Sequence, residues 1–232
     1  MAGTAIARIS ALGAPVLCFD TCTALDLMRD PTRDAVRAHE RQAALALLAA
    51  AEGGTDLVLL IADQVAFEFR ENVTTVEEEA IQALSRLKAQ VRRIDAVAAA
   101  YGSSGHANLD HLDDHVMRAR TVANRWIAAA TPAQQGSDIA SRAFLRLNQA
   151  RTPAKKGKDS MKDCVVIETY LDTVAQLRAA ALASKIVFAS SNTKDYAGAT
   201  GTTLNADIAS EFSALNLDYA PNLAAGKHQL GL

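Results

Sequence analysis

Acidic residues stand at several points where apolar runs give way to polar loops. Val16-Leu17-Cys18-Phe19 runs into Asp20-Thr21, and Ala189 is followed by Ser190-Ser191-Asn192-Thr193-Lys194-Asp195-Tyr196. Lys158-Asp159-Ser160-Met161-Lys162-Asp163-Cys164 opens another apolar stretch, and Glu68 sits between Phe67 and Phe69 shortly after a further one. Carboxylates gathered from distant segments are the oxygen donors that Mg²⁺ and Mn²⁺ prefer, with water filling the remaining positions. Such ions serve phosphodiester hydrolysis by activating water, neutralising charge on the transferring group and stabilising the leaving oxygen. Ionised carboxylates crowded together repel one another, and a bound cation relieves that cost.

For these groups to meet, the apolar runs must be neighbouring strands. Residues 16–19, 57–61, 186–190 and 215–219 are short and apolar enough to be read as strands, the first three buried on both faces. Between them the pattern is helical. Asp30-Pro31 reads as an N-cap with a first-turn proline, opening a helix that stops at Gly53-Gly54. Another helix begins near Asp63. Thr75-Val76-Glu77-Glu78 reads as a capping box that starts a separate helix reaching Tyr101. Further helices are expected over 110–129, from Thr131-Pro132 to 150, from Ser160 to 183 and over 205–213, with an irregular tail from Pro221. Asp163 stands three residues after Ser160, where a capping-box carboxylate would also stand.

Strands at both ends of the chain, separated by helices, imply a three-layer α/β/α fold with a central, mostly parallel sheet of four to five strands. The stretch 76–150 shows no strand signal and is read as a helical insertion or cap within a single domain spanning 1–232. Ligands of such sheets collect beyond the carboxyl ends of the strands, where Asp20, Asn192 and Asp195 fall.

Composition sets the bounds. The 232 residues are 50% hydrophobic and 5% aromatic with a formal net charge of -2, so a nucleic acid must be met by a local basic patch. The basic segment Arg151, Lys155, Lys156, Lys158 and Lys162 reads as such a rim. Three cysteines (Cys18, Cys22 and Cys164) form no disulfide framework and fit a reducing cytoplasm. No signal peptide or membrane-length apolar run is visible. His111 and His115, spaced i, i+4, could pair on zinc, but the glutamate of the zinc-protease motif is absent and a polar helical turn explains them. Asp159 and Glu168 are read as surface groups.

The ordered set Phe19-Asp20-Thr21, Glu68, Lys162-Asp163-Cys164 and Ser190 to Tyr196 resembles the PIN-domain ribonucleases, from about residue 16 to 220 apart from the helices of 76–150. The segment 158–170 looks most like a longer bacterial branch. The resemblance implies that Asp20, Glu68 and Asp163 hold Mg²⁺ or Mn²⁺, with Asp195 completing the acidic pocket and Glu71 the alternative to Glu68. Asn192 stands where that family usually has aspartate, and offers a carbonyl oxygen without charge. Cys22 stands where it usually has asparagine. Thr21 and Ser190 would hydrogen-bond a carboxylate, a water or a phosphate. The implied activity is metal-dependent cleavage of single-stranded RNA, and the implied partners are RNA, an antitoxin-like protein and a second copy of the chain.

Overall fold

The computed structural model describes residues 2–155, 157, 159–198 and 201–232; Lys156 and Lys158 lie outside the described residues. Among the described residues five strands form one sheet: β1 (Val16–Phe19), β2 (Val58–Ala62), β3 (Thr131–Ala133), β4 (Ile186–Ala189) and β5 (Leu217–Ala220). Their order is β3-β2-β1-β4-β5 and every neighbouring pair is parallel. The chain steps outward on one side of β1, to β2 and then β3. It returns to the other side for β4 and β5. β1 and β4 are therefore the central pair, and the loops leaving their carboxyl ends diverge, which opens a crevice between them.

Helices supply both outer layers. α1 (Ala2–Leu12) precedes the sheet, and α2 (Thr21–Asp26) and α3 (Ala38–Glu52) connect β1 to β2. α4 (Asp63–Ala100) and α5 (His115–Ala129) lead to β3, and α6 (Ile139–Asn148) and α7 (Met161–Ala179) lead to β4. α8 (Thr193–Tyr196) and α9 (Ala206–Ala214) precede β5, and α10 (Leu223–Leu230) follows it. α3 packs against α5 and α10, whereas α7 packs against α1 and α6. The strands are covered on both faces: Val16, Leu17, Cys18 and Phe19 are all fully buried, as are Ile186, Val187, Phe188 and Ala189. That burial is why these runs are continuously apolar rather than alternating. Among the described residues no helix is long and apolar enough to cross a membrane.

The structure departs from the sequence reading in ways that have local causes. Thr131–Ala133 is a strand, not the start of a helix, and pairs with β2 at the sheet edge. An edge strand tolerates Pro132 because one side of its ladder needs no donor. The capping-box signal at Thr75 does not act: α4 runs unbroken for 38 residues, because no glycine or proline interrupts residues 63–100. Its first half buries Val65, Phe69, Val73, Val76, Ala80 and Leu84 at three- and four-residue spacing, one face of a helix. The stretch 76–150 thus contributes to the main core as well as extending from it, with Trp126 of α5 meeting Phe19 edge to face at 5.5 Å between ring centres. Asp30 caps no helix; its carboxylate accepts from the backbone N–H and hydroxyl of Thr32 in a turn, and α3 begins only at Ala38. The tail is α10, capped by Asn222, whose Oδ1 accepts from the Ala225 N–H at 2.8 Å. His111 lies in a 3-10 turn before His115 opens α5, so the two do not share one helix face.

Candidate functional site

Asp20 is the first residue beyond β1 and the N-cap of α2. Its Oδ1 accepts from the Thr23 N–H at 2.9 Å, satisfying one of the donors that a helix start leaves free. Its Oδ2 accepts from the hydroxyl of Ser190, the first residue beyond β4. Thr23 fastens the same crevice a second time: its hydroxyl donates to the Ala189 carbonyl at 3.2 Å and accepts from the Ser191 N–H at 3.1 Å. Asp20 is only 7% exposed and Ser190 fully buried. Burial pushes the Asp20 carboxyl up to about 6, against the opposing pull of the Ser190 and Thr23 hydrogen bonds. The group is thus a carboxylate held in place at neutral pH at a cost in solvation, which a cation would offset.

Below Asp20 the sheet ladder is completed by a side chain. The Tyr170 hydroxyl, from α7, donates to the Phe19 carbonyl at 2.6 Å and accepts from the Ala62 N–H at 3.0 Å. β1 and β2 pair only as far as Cys18 and Leu60, so this hydroxyl bridges the strands where they part. Tyr170 is fully buried, and burial raises its hydroxyl well above the ordinary tyrosine value, keeping it protonated.

The other acidic candidates surround this point. Thr21 donates from its hydroxyl to Glu68 Oε2 at 2.7 Å, and Gln64 donates to Glu68 Oε1 at 2.9 Å. Glu68 is thereby tied to the residue beside Asp20. Asp163 lies in the first turn of α7, and Ser160 makes no side-chain cap there, so the capping-box geometry is not formed. The charges of Asp20 and Asp163 both act on the Cys22 thiol, which burial above all pushes up to about 12. Burial also raises the Tyr196 hydroxyl well above its usual value, with Asp20, Asp163 and Asp195 adding to the effect. One buried tyrosine therefore feels three of the four carboxylates. Asp195, 4% exposed, accepts from the Asn192 amide on Oδ2 and pairs through Oδ1 with Lys155 at 3.1 Å. Glu71 pairs with Lys162 at 3.5 Å, and the Lys162 ammonium lies 6.0 Å from the centre of the half-exposed Phe67 ring.

Among the described residues, no three His, Cys, Asp or Glu side chains close on one point as metal ligands. Magnesium is commonly held by one or two carboxylates and several waters. Asp20 and Asp163 are two carboxylates whose charges both reach Cys22, whose thiol stays neutral. The oxygen-only acids near Asp20 fit a hard divalent cation in chemistry.

Three further groups matter that the sequence does not single out. Thr23 could have been found from the Asp-x-x-Thr spacing of an N-cap and its third helical residue. Tyr170 carries no local signal, because its partners are on two strands remote in sequence. Glu168, read as a surface group, is buried: Arg146, 1% exposed, donates from Nε to Glu168 Oε1 at 2.6 Å and from Nη2 to Glu211 at 2.8 Å. Arg146 also donates to the Thr152 carbonyl at 2.7 Å, and Arg151 pairs with Glu211. This network pins the start of the 151–159 segment, so that Lys155 arrives at Asp195.

Searches of curated proteins and of solved structures returned no match. A family model described as PIN domain matches residues 17–196. The match begins within β1 and ends at Tyr196, taking in Asp20, Glu68, Asp163, Ser190, Asn192 and Asp195. It covers well over half of a chain whose five-stranded parallel sheet lies between helical layers, and the chain belongs to the PIN-domain family, a nuclease-type fold.

Proposed function

We propose that this chain is a divalent-metal-dependent endoribonuclease that hydrolyses phosphodiester bonds of single-stranded RNA. The observation that carries this reading is Asp20. It is a buried, desolvated carboxylate oriented by Ser190 and Thr23 at the crevice between β1 and β4, with Asp163 and Asp195 acting on the same neighbouring tyrosine. In this reading Asp20 and Asp163, with Glu68 held nearby by Thr21, would hold Mg²⁺ or Mn²⁺. The ion when bound would activate water and offset charge on the phosphoryl oxygens. Ser190 and Thr23 fix the Asp20 oxygens in place, and Tyr170 fixes the strand end that carries them. Lys155 neutralises Asp195, and in this reading Lys162, the residue before Asp163, would meet a phosphate oxygen of the strand. An antitoxin-like protein and a second copy of the chain are the partner classes that the resemblance adds to this proposal.

The test is cleavage of a mixed RNA pool with and without Mn²⁺, beside the Asp20→Asn variant. Metal-dependent cleavage lost in the variant supports the reading; equal cleavage by both proteins removes it. The Lys155–Asp195 pair favours a second reading, a PIN domain that binds RNA or a protein without cutting it, since Asp195 already has its counter-charge and Asn192 brings none. Calorimetric titration with Mn²⁺ separates the two. Binding that disappears in Asp20→Asn supports the nuclease, and no binding to the native protein supports the module.

A further inference from the structure

A cleft adjoins the acidic crevice, but is lined by different chemistry. It encloses about 450 Å³ beyond the carboxyl ends of β1, β4 and β5, between the 22–41 segment and the start of α10. Cys22, Thr23 and Asn192 form its wall on the Asp20 side, so the two sites are continuous. Three arginines line it (Arg29, Arg33 and Arg41), together with Asp26 and Glu40. One pair is already made: Arg29 Nε meets Asp26 Oδ1 at 2.8 Å. Arg33 is exposed and Arg41 half-buried. Burial lowers Arg41 from the ordinary arginine value; Asp26 and Glu40 pull it back up as counter-charges, and Arg33, a like charge, acts more weakly in the lowering sense. The lining thus carries three arginines against two carboxylates, an excess of positive charge around a partly desolvated guanidinium that an anion entering the cleft would offset. The N-terminus of α10 opens on the same space through Asn222 and Leu223, adding the positive end of a helix.

Guanidinium groups match phosphate in geometry, donating paired N–H groups to its oxygens. A cleft of this volume is of the size that takes a small ligand, one nucleotide rather than a duplex. We infer that the Arg33–Arg41 cleft is a second phosphate subsite, holding the single-stranded RNA backbone at a phosphodiester neighbouring the one presented to Asp20. The subsite rests on the nuclease reading for the identity of the strand. The consequence is directional: the strand would leave the Asp20 crevice toward α10, past Asn192, and not only over the lysine segment of 155–162.

The test separates binding from cleavage. A short, fluorescein-labelled oligoribonucleotide of mixed sequence is titrated in EDTA with the native protein, with Arg33→Gln, with Arg33→Gln/Arg41→Gln and with Arg93→Gln, and anisotropy is followed over a range of salt. Arg33 is exposed, so its single variant keeps the test valid should the double variant misfold. Each lost phosphate contact should weaken binding by roughly tenfold and reduce the salt slope by about 0.7. Arg93, on the far half of α4, should leave both unchanged. Unaltered affinity and slope in the Arg33 variant, or an equal loss in Arg93→Gln, would overturn the subsite. Arginine-dependent binding by a protein that cleaves no RNA with Mn²⁺ would keep the subsite and remove the nuclease reading. Metal-dependent cleavage with arginine-independent binding would do the reverse.

Discussion

The Ser190 hydroxyl donates to the Asp20 carboxylate across the gap between the two central strands. Each residue is the first beyond its strand, and β1 and β4 are in register through Phe19 and Ala189. The bond therefore spans a fixed width set by the sheet. It lowers the Asp20 carboxyl against burial, which raises it to about 6.

The first prediction concerns stability. An unfolded aspartate titrates near its ordinary value of 3.8, whereas folded Asp20 titrates near 6. Between these values the folded state holds a proton that the unfolded chain has released, so stability falls as pH rises through this window. At pH 7 the ionised group costs on the order of 3 kcal/mol. Asp20→Asn should therefore raise the thermal midpoint of the metal-free protein at pH 7 while removing cleavage. Differential scanning calorimetry at pH 7 and pH 4 checks this, because the gain should shrink at the lower pH. A variant less stable at both values would contradict the account.

The same group sets an acid limb. Cleavage at limiting Mn²⁺ should fall as Asp20 takes up its proton near pH 6, and Ser190→Ala should move that limb to higher pH, because it removes a hydrogen bond that favours the ionised form. The measurement is the pH dependence of initial rates for both proteins. A limb that stays in place in the variant would separate Ser190 from Asp20.

Tyr170→Phe removes one oxygen and leaves the Ala62 N–H and the Phe19 carbonyl without their bridge. Burying these groups unpaired should cost about 1–3 kcal/mol, read from urea denaturation midpoints. Cleavage should fall further than stability does, since Phe19 carries Asp20.

Arg146 is buried between Glu168 and Glu211. Arg146→Ala should destabilise by about 3–5 kcal/mol, because it strands acidic charge in a poorly solvated place. Arg146→Met together with Glu168→Leu and Glu211→Gln should recover much of that loss. Chemical denaturation of the two proteins distinguishes a pairing cost from a packing cost.

What the sequence disclosed depends on how local the cause was. β1, β2 and β4 were legible as continuous apolar runs because burial on both faces leaves no polar alternation. β3 was not, since three residues containing Pro132 become a strand only when β2 offers its edge. Thr75 and Glu78 carry a start signal that the unbroken helical sequence on both sides overrides. Asp20 was legible as a strand exit, whereas Ser190 was counted within its strand, which ends one residue earlier at Ala189. The Arg33–Arg41 cleft was not legible, because its walls come from three separated segments. Glu168 was misread for a similar reason: its burial is decided by Arg146, on a different helix.

Tyr170 and Asp163 are seven residues apart on α7, two turns along one helix face. Tyr170 is anchored to Phe19, the residue before Asp20. A phenol thus serves as the gauge block between two acids that have no direct link in sequence. Inserting or deleting one residue between 163 and 170 would turn Asp163 about 100° around the helix axis and shift it about 1.5 Å, while Asp20 stayed where it is. The spacing of the acidic pair is therefore a manufactured tolerance, held by a joint that is not itself acidic, and natural length variation in this chain should be excluded from the six positions between them.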